Sequence, residues 1–293
     1  MSENNNSFSK ENIMKYKSKY ISEDDEYYSK ISKNVKIKIA SSLTANKSEI
    51  LSYLPYLLQD LWELGSSPED MIYLIKKNIE IDSNTKILDL ACGKGAISIN
   101  LSKELNIKIR GIDIIPEFIE YAKKKAIING VENKCSFEIE DINKSVENKK
   151  DYDIVIFGAV EDVLGTPNET LNKLKQTIKD DGYILIDEAY IKNKKEIKYD
   201  AYEYFTLNEW KEIFKKNNLH LIETLKSDIN LQKEINEYNT KKIEKRAKEL
   251  KEKYPDKKDL FDEYIENQKA ESEDLEDNLI GVTWLLKKKN LKH

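Results

Sequence analysis

The chain has 293 residues and a formal net charge of −5, with 39% hydrophobic and 35% charged residues. That apolar share supplies one substantial core, and no apolar run approaches the roughly 18 residues that would cross a bilayer. The acidic balance repels a phosphate backbone, so nucleic acid is not expected as a partner, and two cysteines with two histidines build neither a disulfide framework nor a His/Cys zinc site.

Residues 1–64 open with a polar stretch (Asn4, Asn5, Asn6) that has no signal-peptide core, which predicts a cytoplasmic protein with an N-terminal arm. Leu51, Leu54, Leu57, Leu58, Leu61 and Trp62 recur at helical spacing, and Pro55 kinks that helix or marks its start. Gly65-Ser66-Ser67-Pro68-Glu69-Asp70 then reads as a helix entry, with Ser67 as N-cap and Met71, Ile72, Ile75 and Ile79 on one face. Short β-rich runs follow at Lys86–Leu90, Ile107–Ile112, Cys135–Ile139, Asp153–Phe157 and Tyr183–Asp187. Between them lie helical stretches: one with Ile97, Leu101 and Leu105 on a face, one opening at Pro116 and stopping at Gly130, and one capped by Thr166-Pro167-Asn168-Glu169. Strands alternating with helices of this length predict an α/β fold with a parallel sheet covered on both faces. A further capping box, Thr206-Leu207-Asn208-Glu209, precedes a helix through Trp210, Ile213 and Phe214, and Leu219–Glu223 and Ile280–Leu286 read as two late strands. The charged segment 230–275 between them keeps apolar residues at helical spacing and reads as an inserted helical lid. The core is thus assigned to residues 65–229 and 276–293.

The informative motif is Lys86-Ile87-Leu88-Asp89-Leu90-Ala91-Cys92-Gly93-Lys94-Gly95: a strand ends in an acid, turns through small residues and enters a helix. Glycines at 93 and 95 admit a close backbone approach by a ligand, and the helix start offers free N–H groups. Asp113, at the end of the second strand, stands where a carboxylate holds a ribose diol. A dinucleotide fingerprint would place a third glycine where Ser98 stands, and Asp89 before the turn repels a pyrophosphate but can pair with an ammonium. These residues favour an adenosyl ligand with an amino-acid tail over a nicotinamide.

Taken with Gly111-Ile112-Asp113, Glu140-Asp141-Ile142 and Asp181-Gly182-Tyr183, this motif resembles the class I S-adenosylmethionine-dependent methyltransferases, in the ubiquinone/menaquinone-biosynthesis-like, small-molecule group. The resemblance implies a Rossmann-like doubly wound seven-stranded sheet of order 3-2-1-4-5-7-6 with strand 7 antiparallel. It implies S-adenosyl-L-methionine as cofactor, leaving S-adenosyl-L-homocysteine. It places Asp89, Ala91, Cys92, Gly93 and Gly95 around the methionine moiety, Asp113 and Ile114 at the ribose and adenine, Asp141 and Ile142 at the adenine edge, and Gly158 and Ala159 under the sulfonium. Cys92 itself reads as a small packing residue, with no histidine near it in sequence to make it a nucleophile.

The acceptor is less visible, because methyl transfer asks the protein mainly to position an acceptor and exclude water. The fourth strand ends Phe157-Gly158-Ala159-Val160, without the Pro-Pro-aromatic signature for exocyclic amines, and no Pro-Cys pair is present for attack on a pyrimidine. A small-molecule acceptor is expected, with the protein a monomer or homodimer. Two acid pairs, Glu161/Asp162 and Asp187/Glu188, lie at the carboxyl edge of the sheet, where ligands bind. Glu161 and Glu188 either face the acceptor, as partners for a cationic amine, as bases, or as oxygen ligands of Mg²⁺, or they belong to solvated and loop-capping groups. Trp62 and Gly65, with Tyr28 and Tyr190, are the expected acceptor-pocket residues among a wider aromatic supply.

Overall fold

The computed structural model describes residues 26–192 and 197–289. A single seven-stranded sheet runs in the order β3-β2-β1-β4-β5-β7-β6. Its strands are β1 (Lys86–Leu90), β2 (Lys108–Asp113), β3 (Cys135–Ile139), β4 (Tyr152–Gly158), β5 (Ile178–Ile191), β6 (Leu219–Lys226) and β7 (Leu279–Lys288). Neighbours pair in parallel from β3 through β5, and β7 runs antiparallel between β5 and β6. This is the arrangement implied by the resemblance. Alternation along the central strands splits the core: Leu88, Leu90, Val155, Phe157, Ile184 and Ile186 face one side, and Ile87, Ile154, Ile156 and Leu185 the other.

Helix boundaries follow the capping chemistry. Ser67 Oγ accepts from Asp70 N at the start of Pro68–Asn78, and complete capping boxes at Thr166/Glu169 and Thr206/Glu209 open Pro167–Thr177 and Leu207–Lys216. The expected helix through Leu51–Trp62 is instead a 3₁₀ turn (Ser48–Ser52) and a four-residue helix (Leu54–Leu57). Pro55 sits in the first turn of that helix, and the leucines are buried by tertiary packing rather than along one continuous face. β5 is also longer than the predicted Tyr183–Asp187, because antiparallel pairing with β7 carries it on to Ile191.

The segment 230–275 forms a helical hairpin, Ile229–Lys253 and Lys258–Asp277, joined by a 3₁₀ turn at Pro255–Lys257. It packs against the N-terminal helices in one apolar cluster: Ile50, Leu51, Leu54 and Leu57 meet Ile243, Ala247, Leu250, Phe261 and Ile265. Arg246 adds a two-pronged hydrogen bond to Asp60, with Nε to Oδ2 at 2.6 Å and NH2 to Oδ1 at 2.7 Å. Ile115 and Phe118, from the edge of β2 and the helix Pro116–Ile128, belong to the same cluster, so this cap rests on the carboxyl end of the sheet. Among the described residues no helix is long and apolar enough to cross a membrane.

Candidate active site

At the carboxyl ends of β1, β2 and β4 a cavity of about 600 Å³ opens beneath the cap. Ala91, Gly93, Asp113, Ile114, Asp141, Ile142, Gly158 and Ala159 all line it, so most of the expected cofactor residues come together. Asp113 is held by two backbone amides, Gly93 N donating to Oδ2 and Ile115 N donating to Oδ1, both at 2.8 Å. Burial nevertheless pushes its carboxyl up to about 6. Asp141 N-caps the helix Ile142–Asn148, its Oδ1 accepting from Asn143 N at 2.9 Å. Ile39, Ser42, Leu43 and Leu64 close the cavity from the cap, with Ile115, Phe118, Val160 and Val163 completing the wall. None of these eight was singled out by the motif, since the cap residues carry no local signature.

Three residues of the motif lie elsewhere. Asp89 is 1% exposed and lies on the same face of β1 as Ile87, under the helix Ala96–Leu105. Its Oδ2 accepts from Ser98 Oγ at 2.6 Å, and burial raises its carboxyl to about 7. It is not among the residues that line the cavity, and in this arrangement it fastens strand to helix. Cys92 lies beneath the turn against Gly111, with its thiol pushed up by burial. Gly95 adopts φ +75°, and a Cβ there would meet Ala122 Cβ and Phe137 Cζ, each at 2.9 Å. Close packing of the turn against Ala122 and Phe137 therefore requires glycine at 95.

The expected pocket aromatics also separate from the cavities. Trp62 stands outside both, its Nε1 donating to Lys94 O at 3.1 Å and Lys125 Nζ lying 4.8 Å from its ring centroid. Tyr28 is buried in the cap, donating to Glu117 Oε2, while its neighbour Tyr27 donates to Ile114 O at 2.8 Å. Tyr190 stacks on Trp284 in the sheet core and lines neither cavity. Gly65 has φ +126°, and a Cβ there would come within 2.7 Å of Ala159 Cβ, so it buttresses the cavity floor from behind.

A second cavity of about 500 Å³ lies across the loop that follows β4, lined by Glu161 and Glu188 together with Tyr202, Tyr204, Phe205 and Trp210. Burial pushes both carboxyls up, Glu188 to about 8 and Glu161 well above the carboxylate range, with the neighbouring acids adding to the shift. No group of three His, Cys, Asp or Glu residues among those described could hold a metal ion. His220 is exposed on β6, and His293 lies outside the described residues.

Residues 81–253 match a family model described as a methyltransferase domain. The chain is 35% identical over 109 residues to a malonyl-acyl-carrier-protein O-methyltransferase of Acetivibrio thermocellus, covering 36% of this chain and 37% of that one. It is 33% identical over 87 residues to a release factor glutamine methyltransferase of Flavobacterium psychrophilum, covering 29% and 30%. The matches thus span about a third of these relatives. A crystal structure of a methyltransferase from Geobacter sulfurreducens in complex with S-adenosyl-L-homocysteine superposes with TM-score 0.68 at 17% identity, covering 80% of this chain and 97% of that one. The chain belongs to the methyltransferase-domain family, and its sheet is the class I fold.

Proposed function

We propose that the protein is an S-adenosylmethionine-dependent methyltransferase acting on a small molecule. The observation that carries this reading is the single cavity lined by Ala91, Gly93, Asp113, Ile114, Asp141, Ile142, Gly158 and Ala159. Its chemistry suits an adenosyl ligand: apolar walls from Ile114, Ile115, Phe118 and Ile142, and two carboxylates at the ends of β2 and β3. Asp113 would hold the ribose hydroxyls on its remaining lone pairs, and Asp141 the adenine amino group. When bound, the cofactor supplies an electrophilic methyl group on a sulfonium. The chain's own residues then orient the reactants and exclude water, a task for which Ile39, Leu43 and Leu64 of the cap are placed.

A small acceptor is supported by the cap roofing the carboxyl edge and by a second cavity beside Glu161. A cytoplasmic location goes with this reading, since both cysteines are buried and unpaired. The relatives named for protein acceptors favour the other reading, transfer to a macromolecule.

Calorimetry with S-adenosylhomocysteine tests the first step. A heat of binding is expected, with Asp113→Asn weakening it by about tenfold or more and NADH giving none. No heat with S-adenosylhomocysteine would overturn the assignment. Incubation with methyl-labelled cofactor and a cell extract then separates acceptors: label in a low-mass fraction supports the small-molecule reading, and label on protein or RNA replaces it. Label in neither would point to a non-catalytic binder.

A further inference from the structure

The second cavity has an electrostatic character that its role as a mere void does not explain. Glu161 comes from the loop after β4, Glu188 from β5, and Glu271 from the hairpin helix Lys258–Asp277, just behind the wall. The strongest charges acting on Glu161 are Glu188, Glu271, Asp187 and Asp162, all acidic. Lys38, from the helix Lys33–Ser41, is engaged by this loop at Asp162, with its Nζ donating to Asp162 O at 2.8 Å. Among the described residues no ion pair reaches Glu161, Glu188 or Glu271.

The surrounding hydroxyls are built into the cluster. Tyr204 OH donates to Tyr202 OH at 2.9 Å, Tyr202 OH donates to Glu271 Oε1 at 2.8 Å, and Thr44 Oγ1 donates to Glu271 Oε2 at 2.5 Å. The segment carrying these tyrosines is pinned to the hairpin by buried Asp274, whose Oδ2 accepts from Lys198 N and Tyr199 N, each at 2.8 Å. Among the buried polar atoms without a partner are Oε2 of Glu161, shielded from solvent, the indole Nε1 of Trp210 in the wall of the same cavity, and the hydroxyl of Tyr264, a residue 2% exposed that lies near Glu271 and Tyr199.

Desolvated carboxylates without a cation are costly, and each unmet acceptor adds to that cost. That cost keeps the acids protonated near neutral pH, and neither a neutral ligand nor an anion offsets the cost of ionising them. A cation resolves it, and tyrosine faces in the wall add cation–π attraction. The acids are not grouped to ligate a metal ion, which leaves an organic cation with donors on several sides.

We propose that the cavity between Glu161, Glu188, Tyr202 and Tyr204 is the acceptor subsite, and that it selects a molecule carrying an organic ammonium group. Glu161 and Glu188 face that group, while Glu271 is a positioning residue that orients Tyr202. The word acceptor rests on the methyltransferase reading; the preference for a cation does not.

The test is calorimetry on the full chain with phenethylammonium, spermidine and tetramethylammonium, beside neutral 2-phenylethanol and anionic 3-phenylpropionate, each with and without S-adenosylhomocysteine. At least one ammonium probe is expected to bind, with the alcohol and the acid at least about tenfold weaker. Binding at pH 7 should release protons, seen as heats that differ between phosphate and Tris buffers. The double variant Glu161→Gln, Glu188→Gln should lose about tenfold or more for the ammonium and leave S-adenosylhomocysteine affinity unchanged. The proposal falls if no ammonium probe binds, if 2-phenylethanol matches phenethylammonium, or if the folded double variant binds as well as the parent. Should that variant not fold, the charged and neutral probe pair decides on the parent protein. Absence of a heat with S-adenosylhomocysteine alone overturns the cofactor reading, and the ammonium titrations still decide this one.

Discussion

A methyl group at position 65 would have nowhere to go. Its Cβ would sit 2.7 Å from Ala159 Cβ, on a backbone with φ +126° that an L side chain rarely adopts. Gly65→Ala should therefore lower stability by about 1–3 kcal/mol and displace Ala159, weakening S-adenosylhomocysteine binding more than a surface substitution does; thermal melts and calorimetry check both. The buried acids make a second prediction at this scale. Asp187 and Glu188 bind their protons more tightly folded than unfolded, with values raised to about 7 and about 8 chiefly by burial. Between the ordinary carboxylate range and those values the folded state holds more protons, so stability is greatest at low pH within that window and is lost as pH rises through 7 and 8. Each pH unit costs about 1.4 kcal/mol for one such group. The melting temperature of the ligand-free protein should fall from pH 5 to pH 8.5, and Glu188→Gln should make that fall shallower.

Among the elements, the strand–turn–helix from Lys86 to Leu105 was legible because its signals are local: an apolar run, small residues at the turn, a helical stripe behind. What the motif could not convey is which way a side chain points. Asp89 and Gly95 are where the pattern requires them, yet one serves strand-to-helix bonding and the other helix packing. Trp62 beside Gly65 suggested a pocket mouth, whereas its indole closes on Lys94 O. Glu271 was invisible for a related reason: in a helix as charged as Lys258–Asp277, a half-buried, hydrogen-bonded acid has the same sequence appearance as a solvated one. Lys94 was also passed over as a turn residue. It is 3% exposed, its ammonium donates to Leu58 O and Leu61 O, and it lies over the rings of Phe118 and Tyr121. It ties the cap to the glycine turn, and burial drops its value to about 7. Lys94→Met keeps the stem and removes the donor, leaving those carbonyls unmet at a cost of about 1–3 kcal/mol each. Hydrogen exchange should then quicken at residues 54–64 before any change in the central strands.

For the molecule as a whole, the cap is built from two distant stretches of chain that share one apolar cluster. Neither stretch has a core of its own; the N-terminal helices are short, and the hairpin exposes Ile229, Leu231, Ile235 and Tyr238 on the part that does not reach the cluster. Phe261 is fully buried where the two meet. Phe261→Ala should cost about 3–5 kcal/mol and loosen both stretches together, so limited proteolysis should cut residues 26–64 and the hairpin at matched rates while the sheet persists. Unlinked cleavage would show that they are separate units.

The three tryptophans differ in a way that an optical experiment can use. Trp210 and Trp284 are sealed in the sheet core, while Trp62 is part-exposed on the outer side of the glycine turn with a lysine above its ring. Emission quenched by iodide or acrylamide therefore comes chiefly from that one indole. The molecule carries an intrinsic fluorophore at the junction of cap and turn, able to report in real time any change in their contact.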